Sequence, residues 1–151
     1  MPEPLMIRGR PPRSAALALL EEGGLPVSDL TDKHLEHFFF IGSGGSPMGL
    51  VGLEIYGAKS LLRSLVVGKS ARTKGIGSAL VQHAEEYAFA LQVRAIYLLM
   101  TTAESFFERL GYRRVERAHA PTPIRSTREF ETLCPESSAF MIKRLNTAGE
   151  R

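Results

Sequence analysis

The sequence predicts a mixed α/β (α+β) fold: a mostly antiparallel sheet with one parallel pair of strands and helices on its faces. Three observations carry that expectation. Residues 36–67 hold three apolar runs of strand length separated by turn residues, which reads as an antiparallel meander. Gly75 to Leu91 then switches to helical spacing, with Ile76, Ala79, Leu80, His83, Ala84, Tyr87 and Leu91 on one side and Gln82, Glu85 and Glu86 opposite. Ala95 to Met100 is again a continuous apolar run, and a strand–helix–strand succession of this kind makes a crossover and hence a parallel, buried pair.

The elements follow in order. Met6 to Arg10 is a short first strand, stopped by Pro11 and Pro12. Pro12 opens a helix with Ala15, Leu19 and Leu20 on its apolar edge, closed by Gly23 and Gly24. Ser28 is the cap candidate for a short helix around Asp29 to His34. Glu36 to Ile41 is a strand, Ser43–Ser46 a turn, and Met48 to Tyr56 a strand with Val51, Leu53 and Ile55 on one face and Leu50, Gly52, Glu54 and Tyr56 on the other. Gly57 to Lys59 turns the chain into Leu61–Val67. After the crossover, Thr101-x-x-Glu104 has the capping-box pattern of a helix carrying Ala103, Phe106, Phe107 and Leu110, closed by Gly111. Tyr112 to Glu116 is a strand, a short helix is expected near Thr127 to Leu133 between Pro123 and Pro135, and Ala139 to Leu145 closes the sheet. The 151 residues read as a single domain with a core over residues 6–145 and a polar tail at 146–151.

Composition narrows the function classes. A chain of this length buries roughly 70% of its unfolded surface, so it needs neither disulfide nor metal to hold a core. The net charge of +3 is too small for a nucleic-acid surface, and no run interleaves basic and aromatic residues as a single-strand track would. No stretch approaches the roughly 18 apolar residues of a membrane span, and Cys134 is the lone cysteine, so a cytoplasmic protein is expected. His34, His37 and His119 have no partner at metal spacing, and no metal is expected.

The chemistry lies between Leu61 and Leu80. Gly75 and Gly77 admit an anion close to the backbone, the first N–H groups of the following helix lack intrahelical partners, and the helix dipole adds to the attraction. Lys69, Arg72 and Lys74 supply formal charge, and together these groups suit a pyrophosphate. A dinucleotide fingerprint would need a third glycine where Leu80 stands, and no Gly-Lys-Ser/Thr of a P-loop follows.

Arg72-x-x-Gly75-x-Gly77 after an apolar strand, followed by Phe106-Phe107-x-x-Leu110-Gly111-Tyr112, resembles the GNAT family of CoA-dependent acetyltransferases over about Ile7 to Leu145. The resemblance implies a splayed parallel pair, here Leu61–Val67 and Ala95–Met100, that admits acetyl-CoA as co-substrate. It implies that Leu65, Val66 and Val67 pair with the pantetheine arm, that the segment Arg72, Thr73, Lys74, Gly75, Ile76, Gly77 and Ser78 holds the pyrophosphate, and that Phe106 and Arg109 also lie against the cofactor. The Val66 amide would stabilise the oxyanion of the attacked thioester. The acceptor would be the amine of a small molecule, attacking directly in a ternary complex, and family habit suggests a homodimer.

Phe107 stands where many members carry the tyrosine that protonates the CoA thiolate, so Ser105, Tyr112 or water must serve, and a CoA-binding sensor without turnover becomes the competing expectation. Acetylation of protein amines is a further reading, for which no acidic groove is marked. For the base, Glu54 is preferred. It either takes the acceptor's proton or pairs with Arg63 across the strands. Arg63 and Ser64 either contact the acceptor, Arg63 through a carboxylate, or belong to that pair. The runs Gly52-Leu53-Glu54, Leu62-Arg63-Ser64-Leu65, Leu98–Glu104 and Pro123–Pro135 are similar to the acetyltransferases encoded with arsenic-resistance genes, which implies an amino-acid-like acceptor such as an arsenical or phosphinic analogue.

Overall fold

The structure, a computed structural model, describes residues 6–69, 75–100, 103–133 and 138–145. Its strands are β1 (Ile7–Gly9), β2 (Phe38–Gly42), β3 (Pro47–Tyr56), β4 (Lys59–Val67), β5 (Ala95–Met100), β6 (Arg113–Arg114) and β7 (Ala139–Arg144). Its helices are α1 (Arg13–Glu22), α2 (Asp32–Leu35), α3 (Ile76–Ala90), α4 (Glu104–Arg109) and α5 (Thr122–Arg125). The seven strands are ordered β1-β2-β3-β4-β5-β7-β6. Neighbours β1/β2, β2/β3, β5/β7 and β6/β7 are antiparallel, and β4/β5 is parallel, with register Lys59↔Ala95 to Leu62↔Leu98. This is the mixed sheet expected from the meander and the crossover.

The chain forms two compact units, one of residues up to Glu54 with Arg63–Ala84, the other of Ile55–Leu62 with Glu85 onward. In the first, successive residues of β2 serve opposite faces. Phe38 and Phe40 join Leu50 and Val66 beneath Ala16 and Leu20 of α1. Phe39, on the other face, meets His83 of α3 edge-on at 4.7 Å. Gly49 sets how closely α3 approaches: a Cβ there would lie 3.1 Å from Val66 O and Leu80 Cδ1 and 3.2 Å from Ile76 Cγ2. The first turns of α3 therefore sit directly on β3 and the end of β4. In the second unit, Tyr97 stacks on Phe140 at 5.4 Å in a core with Leu61, Leu99, Ala120, Ile124 and Ile142.

Four local expectations change. The cap of α2 is Thr31, whose hydroxyl accepts from His34 N–H, and not Ser28; Asp29 lies outside the helix. The cap of α4 is Ala103 at φ 63°, which makes Glu104 the first helical residue instead of the far half of a capping box; Thr101 lies outside the described residues. The expected strand at Tyr112–Glu116 shrinks to Arg113–Arg114. The helix expected near Thr127–Leu133 is there as a π-helical turn at Glu129–Leu133, and a separate short helix, α5, precedes it, with Pro123 in the first turn where its missing N–H is no loss.

Candidate active site

The end of β4 and the start of α3 frame the site. Gly68 N–H donates to Met48 O at 2.8 Å and closes the ladder beyond Val67. Gly75 has φ 70°, and among the described residues nothing lies within 4 Å of where its Cβ would stand. A side chain would be strained there and would narrow an open approach to the backbone. Ala79 N–H closes on Gly75 O at 3.1 Å, so the N–H groups of Ile76, Gly77 and Ser78 precede the intrahelical ladder. A 15-residue helix concentrates its positive end at those groups. Such a terminus fits a pyrophosphate. Lys69 is exposed. Arg72, Thr73 and Lys74 lie outside the described residues.

Upstream on β4, Ser64 takes φ 60°, an uncommon conformation for a residue with a Cβ, and such strain gathers at functional sites. The Arg63 side chain is 0% exposed. Its Nη1 donates to Glu54 Oε2 at 2.8 Å, and its Nη1 and Nη2 fork onto both carboxylate oxygens of Asp29, the second at 2.9 Å. Nε donates to Ser64 Oγ at 3.1 Å. Glu54, Arg63 and Ser64 are thus brought together, as the sequence suggested, and Glu54 and Arg63 do form an ion pair. Asp29 completes the cluster and was missed: it is 34 positions from Arg63, and its neighbour Ser28 reads as a helix cap. Burial pushes the Asp29 carboxyl up, but the hydrogen bonds and charge of Arg63, with His34, outweigh it and hold it below its ordinary 3.8.

Candidate ligand atoms of Asp29, His34 and Glu54 lie within 4.8 Å of one another, a grouping that residue spacing does not reveal. Arg63 Nη1 bonds both carboxylates and takes the place of a cation between them. His34 Nδ1 is engaged by Thr31 N at 3.1 Å and Oγ1 at 2.9 Å.

In the second unit, Ser105 and Arg109 are exposed on α4 and Phe106 is half-buried. Phe107 is 2% exposed and wedged edge-on between Phe106 at 5.0 Å and Tyr112 at 5.4 Å. Tyr112 Oη donates to Glu85 Oε2 at 2.9 Å, and Lys143 Nζ donates to Glu85 Oε1 at 2.9 Å and to Leu110 O at 2.8 Å. Burial, then the Glu85 carboxylate, pushes the Tyr112 hydroxyl well above its ordinary 10.0, which makes it a poor proton donor to a thiolate. Glu104 accepts from Arg114 Nε at 3.0 Å and Nη2 at 2.8 Å, and that bond, with the arginine's charge, lowers its pKa despite some desolvation. Arg117 lays its guanidinium 4.5 Å over the Phe130 ring.

The model of the acetyltransferase (GNAT) family matches residues 11–112, and the chain belongs to that family. An uncharacterised N-acetyltransferase of Chlorobaculum tepidum is 33% identical over 93 residues, covering 61% of this chain and 59% of the relative. The chain thus spans about three-fifths of that relative. N-acetylglutamate synthase of Neisseria gonorrhoeae, solved with coenzyme A and N-acetyl-glutamate, superposes with a TM-score of 0.80 at 19% identity, over 97% of this chain and 36% of that one. A Mycobacterium tuberculosis protein solved with CoA gives 0.74 at 19% identity, over 93% and 99% of the two chains. At these identities the structural likeness speaks to the fold. Among the described residues, no helix is long and apolar enough to cross a membrane.

Proposed function

We propose that the chain is an acetyl-CoA-dependent N-acetyltransferase, one catalytic domain that moves the acetyl group to the amine of a small molecule by direct attack in a ternary complex. The observation that carries the reading is the start of α3, where open Gly75 and the three leading N–H groups of Ile76, Gly77 and Ser78 lie just past β4. In this reading those groups, with Arg72, Thr73 and Lys74, hold the pyrophosphate. Leu65, Val66 and Val67 present backbone to the pantetheine arm, and Phe106 and Arg109 lie against the cofactor. The Val66 N–H faces the thioester oxygen, where charge develops during attack.

Glu54 takes the ammonium proton, directly or through water, and Arg63 holds Glu54 in place as a carboxylate. Arg63 and Ser64 remain the proposed acceptor contacts, and an acidic group on the acceptor would compete with Asp29 for the guanidinium. Ser105, exposed near the start of α4, or water returns a proton to the thiolate. A dedicated acid is dispensable, because a thiol ionises only near pH 8.5. An amino-acid-like acceptor, arsenical or phosphinic analogues included, rests on the sequence runs around Glu54, Arg63 and Leu98–Glu104. Cytoplasmic location and a homodimer rest on the lone cysteine and on family habit.

The test is release of free CoA from acetyl-CoA across an amine panel that includes arsenical and phosphinic amino acids. Turnover with an amine supports the reading, and none with any amine removes it. A second reading, a CoA-binding sensor, is favoured by buried Phe107 and by the Tyr112 hydroxyl being tied to Glu85. Binding of CoA without turnover would establish it.

A further inference from the structure

The second unit carries a cleft of about 740 Å³ lined by Arg113, Arg114, Val115, Glu116, Arg117, His119, Ser138 and Phe140. Among the described residues its charge is lopsided: three arginines against one carboxylate, with Arg114 already paired to Glu104 outside the lining. Two of its polar groups are buried and lack a hydrogen-bond partner among the described residues, the Arg117 Nη1 and the Ser138 hydroxyl. The rest of Arg117 is fixed. Its guanidinium stacks on Phe130, and Nη2 donates to Phe130 O at 3.3 Å. Phe130 in turn packs edge-on against Phe140 at 5.5 Å. An unpaired buried guanidinium N–H is costly, and an acceptor oxygen relieves that cost most when it carries charge. Ser138 precedes Ala139, which pairs with Met100 at the carboxyl end of β5. In α/β sheets that end of a strand is where ligands bind.

We infer that this cleft is an oxyanion site, in which Arg117 Nη1 and the Ser138 hydroxyl hold a carboxylate or phosphate group of a small molecule while Arg113 supplies the surrounding positive field. Neither donor belongs to the proposed acetyl-CoA site, so the inference stands or falls apart from the transferase reading. It is tested by titrating the full-length protein with sodium phosphate and, separately, sodium succinate, at fixed ionic strength in chloride, and following backbone amide NMR shifts. Saturable shifts confined to Val115–His119 and Ser138–Phe140 are expected. Saturation by phosphate alone, or by succinate alone, identifies which oxyanion the cleft takes. Arg117→Met keeps an unbranched apolar side chain beside Phe130 and removes the donors, and should weaken binding by about tenfold or more. Ser138→Ala, a milder change, should weaken it by about threefold to tenfold. The unfolding midpoint of each variant confirms that it is folded. Shifts that stay linear and scatter over exposed basic residues, or the same affinity in both variants as in the parent chain, would overturn the inference.

Discussion

Arg63 and Arg117 are both drawn inward, and they differ in how their donors are met. Arg63 is wholly buried between two carboxylates and a hydroxyl, with four hydrogen bonds to Asp29, Glu54 and Ser64. Arg117 rests on a ring and one carbonyl, with Nη1 unmatched among the described residues. A guanidinium saturated by charge is expensive to remove, because its partners are left as uncompensated buried anions. One that is partly met contributes little by itself and keeps capacity for a ligand.

The largest effect should come from Arg63→Ala, which strands Asp29 and Glu54 and should cost about 3–5 kcal/mol in urea unfolding. Replacing Asp29, Glu54 and Arg63 together by apolar residues of similar volume should recover most of that loss. If the single variant is as stable as the parent, the cluster is not held as described. The same cluster sets an acid limb. The Asp29 pKa is lower in the folded chain, so its contribution is present above 3.8 and disappears as pH falls through the depressed value. Arg63→Ala should remove that part of the acid dependence. The Tyr112 pKa moves the other way. Its contribution is present below 10.0 and declines as pH rises beyond that, because the unfolded tyrosine ionises first.

Tyr112→Phe comes next in size. It removes one donor to Glu85 and leaves Lys143 in place, so a loss of about 1 kcal/mol is expected by thermal or urea unfolding. Arg117→Met should move stability by less than about 1 kcal/mol, since a lost cation–π contact offsets relief of an unmatched donor. A loss near that of Arg63→Ala would erase the contrast between the two arginines. Glu104→Gln is the smallest change. The pair with Arg114 is exposed to solvent, and the unfolding midpoint should not move measurably.

Periodicity recorded the sheet, the crossover and α3 well, since burial on defined faces imposes spacing that survives in the sequence. Ala95–Met100 runs over the same residues in both readings. Helix α3 is also local, and its start just past Gly75 was legible for that reason. What escaped depends on distant contacts. Nothing near Asp29 announces Arg63, and the capping-box pattern at Thr101 and Glu104 misled because Ala103 adopts a left-handed φ and turns Glu104 toward Arg114. The Arg117 contact escaped because its partner, Phe130, lies 13 positions on, beyond what local spacing registers.

The transferase reading rests on the start of α3, and acetyl-CoA titration by calorimetry of the parent chain and Gly77→Glu addresses it most directly. Saturable binding by the parent, weakened by about tenfold or more when a carboxylate is set against the phosphates, is the predicted result. No binding by the parent, or equal affinity in the two proteins with the variant folded, would contradict it.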